Sequence, residues 1–125
     1  MSLTKFGATI REYRRDLNLT LSAMATALKT SPAFLSAMET GRSKVPMEWV
    51  EKIAEYLQAQ EASVDKGRLR ALAFESNDSV SLEGLPPQHK TLIAGFANSD
   101  FTQEQLNRLG NLLADIYAER PKDDA

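Results

Sequence analysis

The sequence predicts an all-α fold, with an N-terminal domain of short helices followed by a helical C-terminal region. Apolar residues recur at three- and four-residue spacing in one segment after another, as on the buried face of a helix. Ser, Thr and Pro residues that favour helix starts precede several of these segments. Sustained alternation of apolar and polar residues, the mark of a half-buried strand, is not found. A brief alternation predicts one very short strand near 80–82.

The clearest helix signals lie in the first third of the chain. An apolar stripe over residues 3–17 predicts the first helix. Thr20 is a suitable N-cap for the second, because its hydroxyl can accept a hydrogen bond from an unpaired backbone N–H of the first turn. Ser31 caps a third helix that has Pro32 at its first position, where a missing N–H costs nothing. Gly41 is placed to end that helix.

Further helices follow with weaker signals. A fourth begins at Pro46 and carries Trp49 in its predicted buried stripe. A fifth is predicted over 61–74. A sixth is predicted over 88–97, with its large apolar side chains expected to be buried: Leu92, Ile93 and Phe96.

Charge is distributed unevenly along the 125 residues. The net charge is −2, but residues 1–58 carry eight Lys or Arg against six Asp or Glu, whereas residues 59–125 carry seven against eleven. The first part therefore has a charge of +2 and the second −4. This asymmetry points to an anion-binding face in the first part.

The parts needed for most enzyme chemistry are missing from the sequence. The chain has no cysteine, and its single histidine, His89, cannot build a multi-histidine metal site. The six glycines are scattered singly, so no phosphate-binding loop is present. We therefore expect no enzyme activity, no metal and no cofactor. The lack of a long apolar run and of a signal-peptide pattern predicts a cytoplasmic protein without membrane contact.

Residues 20–41 have the pattern of a helix-turn-helix. Two helices of roughly eight residues are joined by a tight turn. Ala25 is small where the two helices must cross closely, and Leu35 and Met38 lie one turn apart on the inward face of the second helix. In this arrangement the second helix enters the major groove of DNA through its N-terminal part.

Residues 6–57 resemble the phage-repressor (lambda-repressor-like, Xre/Cro-type) helix-turn-helix family of transcriptional regulators. The matching stretches are Ile10-Arg11-Glu12-Tyr13-Arg14, Leu19-Thr20, Met24-Ala25, Leu28, Ser31 to Arg42, Pro46 and the Trp49, Ile53 and Leu57 stripe. The resemblance implies a compact five-helix domain that binds operator DNA, usually as a dimer. It also implies a structural salt bridge between Arg14 and Glu39. Lys29 stands where the family often has Gly.

The helix-turn-helix interpretation assigns candidate DNA contacts. The base-contacting candidates on the second helix of the motif are Pro32, Ala33, Ser36, Ala37 and Thr40. The phosphate-contacting candidates are Thr20, Ser22, Ser31, Phe34, Arg42 and Lys44, with Arg11 and Arg15 as outer contacts. Phe34 has two interpretations, partial packing under the turn or contact with the sugar–phosphate backbone. None of the outward side chains is an Arg, Asn or Gln suited to bidentate base recognition.

The C-terminal part is predicted to hold two copies together. A capping box at Thr102 and Gln105 starts the last helix. Its apolar stripe is too extensive for an isolated helix, and we assign dimerisation to Leu106, Leu109, Leu113, Ile116 and Tyr117. The predicted organisation is a DNA-binding domain at 1–75, a dimerisation or interaction region at 76–119 and a disordered tail at 120–125.

Two functions fit this organisation. The first is a sequence-specific repressor of a phage or plasmid-type operon that binds double-stranded DNA with an inverted-repeat operator as a homodimer. The alternative is an antitoxin-like module whose C-terminal region binds and neutralises a protein partner, with DNA binding serving autoregulation.

Overall fold

A computed structural model describes residues 2–119, which form seven α-helices and no strand. The helices are α1 (Lys5–Asp16), α2 (Leu21–Ala27), α3 (Pro32–Glu39), α4 (Met47–Ala59), α5 (Lys66–Asn77), α6 (Pro87–Ala97) and α7 (Gln103–Ala118). The all-α prediction is therefore confirmed. The short strand predicted near 80–82 is wrong: this exposed segment has no neighbouring strand with which to pair. None of the helices within residues 2–119 is long and apolar enough to cross a membrane.

The chain divides into two compact units, one ending at Ser81 and the other beginning at Leu82. This division lies six residues beyond the predicted boundary at 75, because α5 continues to Asn77. The first unit contains α1 to α5, and the second contains α6 and α7. The tail predicted at 120–125 lies outside the described residues.

Side-chain caps fix where several helices begin. Thr20 Oγ1 accepts a hydrogen bond from Ala23 N at 2.9 Å, and Ser31 Oγ accepts one from Phe34 N at 3.1 Å. At the start of α7, the Thr102 hydroxyl accepts from the Gln105 N–H, and the Gln105 side chain accepts from the Thr102 N–H. The predicted caps and capping box are thus present, each satisfying N–H groups that the helix itself leaves unpaired.

The fifth helix begins later than predicted, at residue 66 instead of 61. Glu61 has φ +70° and the N–H of Ala62 bonds to the carbonyl of Leu57, so these residues terminate α4. Asp65 then caps α5 by accepting a hydrogen bond from Arg68 N at 3.0 Å. The acidic side chain of Asp65 was the local signal for this start.

The first unit has a continuous apolar core. Helix α1 packs on α3 and α5, α2 packs on α3, and α4 packs on α5. The buried apolar side chains are Phe6, Ile10, Met24, Ala25, Leu35, Met38, Val45, Val50, Ile53, Ala54, Leu57, Leu69 and Ala73. Trp49, predicted in the buried stripe of α4, is only half-buried. The core thus joins the helix-turn-helix pair to the three helices that support it.

The second unit has no buried residue between residues 82 and 119. Leu92 and Phe96 are 66% and 50% exposed, so their predicted burial is wrong, whereas Ile93 is half-buried. Helix periodicity produces an apolar face without determining what covers it, and this unit supplies only two helices. The Phe96 and Phe101 rings stack with their centroids 5.0 Å apart.

Candidate nucleic-acid interface

The turn between α2 and α3 depends on a left-handed backbone at Lys29. Its φ is +58°, its N–H bonds to the Thr26 carbonyl, and the N–H of Thr30 bonds to the Ala25 carbonyl at 2.9 Å. These bonds satisfy carbonyls at the end of α2 in the manner of a C-terminal glycine. Lys29 therefore adopts the left-handed conformation that glycine adopts without penalty, at some cost in backbone strain.

Helix α3 is anchored from behind by apolar side chains. Leu35 and Met38 are each buried, and Ala25 of α2 is buried as well. The small side chain of Ala25 allows α2 and α3 to pack closely, as the sequence predicts. This packing determines which side chains of α3 face outward.

A buried ion pair fixes the C-terminal end of α3 to α1. Arg14 Nη1 lies 2.5 Å from Glu39 Oε2, and the two residues are 6% and 2% exposed. Arg11 Nε lies 3.3 Å from Glu39 Oε1, so the carboxylate contacts two guanidinium groups. The buried Glu39 side chain therefore connects α3 to α1 and is not available to solvent.

The N-terminal end of α1 makes a second connection to the same helix end. The Thr4 N–H and the Thr4 hydroxyl both donate to the Glu39 carbonyl, at 3.0 Å and 3.1 Å. The Thr4 hydroxyl also accepts from Gly7 N and so caps α1. A Cβ placed on Gly7 would lie only 2.0 Å from the Glu39 carbonyl oxygen. The two backbones can approach this closely only because residue 7 is a glycine.

The outward face of α3 presents small side chains. Pro32 and Ala33 are exposed, whereas Ser36, Ala37 and Thr40 are half-buried. The Thr40 hydroxyl donates to the Ser36 carbonyl at 3.0 Å, and its oxygen accepts a hydrogen bond from Arg42 Nε at 3.4 Å. Of the base-contacting candidates, the residues on the first turn of α3 are the most accessible.

The candidate phosphate contacts cluster at helix starts. Thr20, Ser22 and Ser31 are exposed. The capping hydroxyls of Thr20 and Ser31 lie at the N-terminal turns of α2 and α3, where backbone N–H groups and the helix dipole favour anions. Phe34 is half-buried and contacts the Trp49 ring edge-on, with 5.0 Å between centroids. This contact corresponds to the packing interpretation of Phe34.

The loop after α3 supplies positive charge. Arg42 and Lys44 are exposed, although the Lys44 ammonium also donates to the carbonyl of Asn77 at 2.9 Å. Between residues 17 and 47 the only charged residues are Lys29, Glu39, Arg42 and Lys44. Because Glu39 is buried, this segment exposes three cations and no carboxylate.

Three residues that position this surface are not predicted from the sequence. Thr4 and Gly7 hold α1 against α3, and Asn77 holds the loop after α3. Thr4 carried a local signal, because a threonine before an apolar stripe is a common N-cap. Gly7 and Asn77 act through partners 32 residues away, as the pairs Gly7–Glu39 and Asn77–Val45 show, and no local pattern indicates such contacts.

Comparison with known proteins assigns a domain type to the first part of the chain. Residues 5–66 match the family model described as a helix-turn-helix domain. No curated protein and no solved structure matches the chain. The matched range runs from the first residue of α1 to the first residue of α5 and includes the α2–turn–α3 pair described above. Residues 5–66 of this chain therefore form a helix-turn-helix domain.

Proposed function

We propose that the protein is a sequence-specific DNA-binding transcriptional regulator that binds double-stranded DNA through residues 31–40. The observation that carries the proposal is the exposed surface of the helix-turn-helix pair. It combines accessible small side chains on α3 with three exposed cations and no exposed carboxylate between residues 17 and 47. Such a surface can approach the polyanionic backbone of DNA without repulsion.

Recognition on this surface would depend on methyl contacts and DNA shape. Ala33 and Ala37 can contact the methyl group of thymine, and Ser36 can hydrogen-bond to a base edge. Helix α3 offers no bidentate side chain, so sequence-dependent deformability of the DNA would contribute much of the specificity. Lys29, Arg42 and Lys44 would position the domain on phosphates.

Substitution of Ala33 by Glu is expected to weaken binding to a selected duplex by at least about 100-fold, since it places a carboxylate beside DNA phosphates and bases. Ala33 is exposed in the first turn of α3, where an acidic side chain interacts favourably with the helix dipole. The thermal midpoint should therefore stay the same or rise. The measurement is a fluorescence-anisotropy titration of a duplex selected from random sequences, paired with thermal unfolding.

The matched control is Ala71→Glu, on the exposed surface of α5. It adds the same charge away from α3 and should change the affinity by less than threefold. For the wild type, three exposed cations per domain predict a slope of log K against log salt of about −2.7 per domain bound. A duplex affinity unaffected by Ala33→Glu would reject residues 31–40 as the recognition surface.

We also propose that the second unit makes the protein a homodimer. Residues 82–119 contain no buried residue, and units of fewer than about 70 residues usually need disulfides, a metal or oligomerisation to supplement a small core. The chain has no cysteine, and the described residues contain no cluster of side chains suited to a metal. Leu106, Leu113 and Ile116 are exposed along one helix, which suits a self-complementary interface with two-fold symmetry.

Leu113→Glu is expected to convert the dimer to a monomer and to lower operator affinity, because each domain would then bind its half-site separately. Sedimentation equilibrium measures the first effect and duplex titration the second. The control, Asn111→Glu, lies on the same helix outside the apolar stripe and should stay dimeric.

A wild-type protein that is monomeric at micromolar concentration would contradict the homodimer. The same apolar face would then favour the alternative, an antitoxin-like region that binds a different protein. Under either outcome the regulator acts as a repressor if its operator overlaps a promoter, for example in a phage or plasmid-type operon.

A further inference from the structure

The loop that carries Arg42 and Lys44 is held by one side chain from the end of α5. Asn77 Oδ1 accepts a hydrogen bond from Val45 N at 2.7 Å, and Asn77 Nδ2 donates to the Val45 carbonyl at 2.9 Å. The amide thus pairs with both backbone groups of one residue, as a neighbouring strand would. The Val45 side chain is buried in the core, which fixes the other side of the same residue.

The loop has a second fixed point near its beginning. Gly41 has φ +79°, and the Ser43 N–H bonds to the Ala37 carbonyl at 3.1 Å, which ties the loop back to α3. Arg42 and Lys44 therefore lie on a short segment whose backbone is bound at both ends. Only the end at Val45 depends on a side chain from a distant part of the chain.

The main-chain carbonyl of Asn77 also accepts a hydrogen bond from the Lys44 ammonium at 2.9 Å. An ammonium group has three N–H donors, so this bond leaves two for another acceptor. The bond orders the long Lys44 side chain before any ligand arrives, and it lowers the entropy that would be lost when the ammonium contacts a phosphate.

We propose that Asn77 is a positioning residue for DNA binding, which holds the Arg42–Lys44 loop in the geometry that contacts phosphates. This inference rests on the proposed function and extends it to a residue outside the matched range 5–66. It also links the loop to the last residues before the division at Ser81, because Asn77 ends α5.

The test is a comparison of duplex binding by the wild type and Asn77→Ala over a range of salt concentrations. The variant is expected to bind about tenfold more weakly, with a salt slope smaller by about one per domain, because a phosphate contact is lost. Specific and random duplexes should lose affinity by the same factor, since phosphates carry no sequence information. A purely structural role would lower the thermal midpoint and leave the salt slope of the folded protein unchanged.

A double-mutant cycle provides the control for coupling. In a protein that already carries Arg42→Ala and Lys44→Ala, adding Asn77→Ala should change the affinity by less than twofold. A tenfold further loss in that background would overturn the inference. The variant Asn77→Asp keeps an acceptor for Val45 N and removes the donor to the Val45 carbonyl, so it tests the loop if Asn77→Ala does not fold. Its loss of affinity should fall below twofold in the background that carries Arg42→Ala and Lys44→Ala, whereas simple repulsion between the added carboxylate and phosphates would persist there and would overturn the inference.

The two proposals fail in different ways. Absence of saturable duplex binding by the wild type would remove the proposed function and this inference with it. Wild-type binding that Asn77→Ala leaves within twofold, with an unchanged salt slope, would overturn the inference alone.

Discussion

Replacing Gly7 with alanine is expected to lower the free energy of unfolding of the first unit by about 3 kcal/mol or more, at the upper end of what overpacking costs. The new Cβ would lie 2.0 Å from the Glu39 carbonyl oxygen and 2.7 Å from the carbonyl carbon. Both are backbone atoms, so no side-chain rotation relieves the clash. Moving α1 away would break the two hydrogen bonds from Thr4 to the same oxygen.

The direction of the change in stability distinguishes the steric clash from the effect of helix propensity. An alanine in a helix is normally favoured over glycine by about 0.5–1 kcal/mol, so helix propensity alone predicts stabilisation. Gly67→Ala in α5 is the matched control, because the added Cβ would make only an ordinary 3.4 Å contact with the Asp65 side chain. Urea unfolding followed by circular dichroism measures both variants. Equal stability of Gly7→Ala and the wild type would contradict the close approach of α1 and α3.

Removing the Glu39 side chain is the second substitution expected to have a large effect. In Glu39→Ala, the guanidinium of Arg14 stays in a site where Arg14 is only 6% exposed, without its carboxylate partner. Breaking a buried ion pair in this way costs about 3–5 kcal/mol. Because Glu39 is the last residue of α3, operator affinity should fall together with stability.

Two further variants test whether the loss of stability in Glu39→Ala comes from the buried, unpaired charge of Arg14. Glu75→Ala removes an ion pair with Lys5 whose side chains are 59% and 75% exposed, and should cost at most about 1 kcal/mol. The double replacement Arg14→Met with Glu39→Leu removes both charges, and should restore much of the stability that Glu39→Ala loses. Equal losses for Glu39→Ala and Glu75→Ala in chemical denaturation would show that burial adds nothing to the ion pair.

The parts of the fold that the sequence predicts well are those with local causes. Thr20, Ser31 and Thr102 act within one helical turn of the groups they cap, so their residue types are sufficient to place helix starts. Leu35 and Met38 were predicted inward from their spacing alone, and both are buried. The ion pair between Arg14 and Glu39 came from the family resemblance, since the two residues are 25 positions apart.

The features that escaped prediction depend on distant partners or on competing local signals. Glu61 and Asp65 are both acidic residues suited to the start of a helix. Because Glu61 adopts a left-handed conformation, α5 begins after Asp65, which caps it. The alternation near Val80 resembles a strand, but a strand needs a neighbour, which the sequence cannot provide. Burial of Leu92 and Phe96 was predicted from helix periodicity, which indicates an apolar face and not what covers it.

The edge-on contact between Phe34 and Trp49 has a practical consequence. The chain contains one tryptophan, so all indole emission comes from a single place beside the first turns of α3. Red-edge excitation, which avoids the three tyrosines, would make the unlabelled protein its own optical probe. A shift in emission wavelength on mixing with another molecule would then report a change in that neighbourhood rather than an average over the chain.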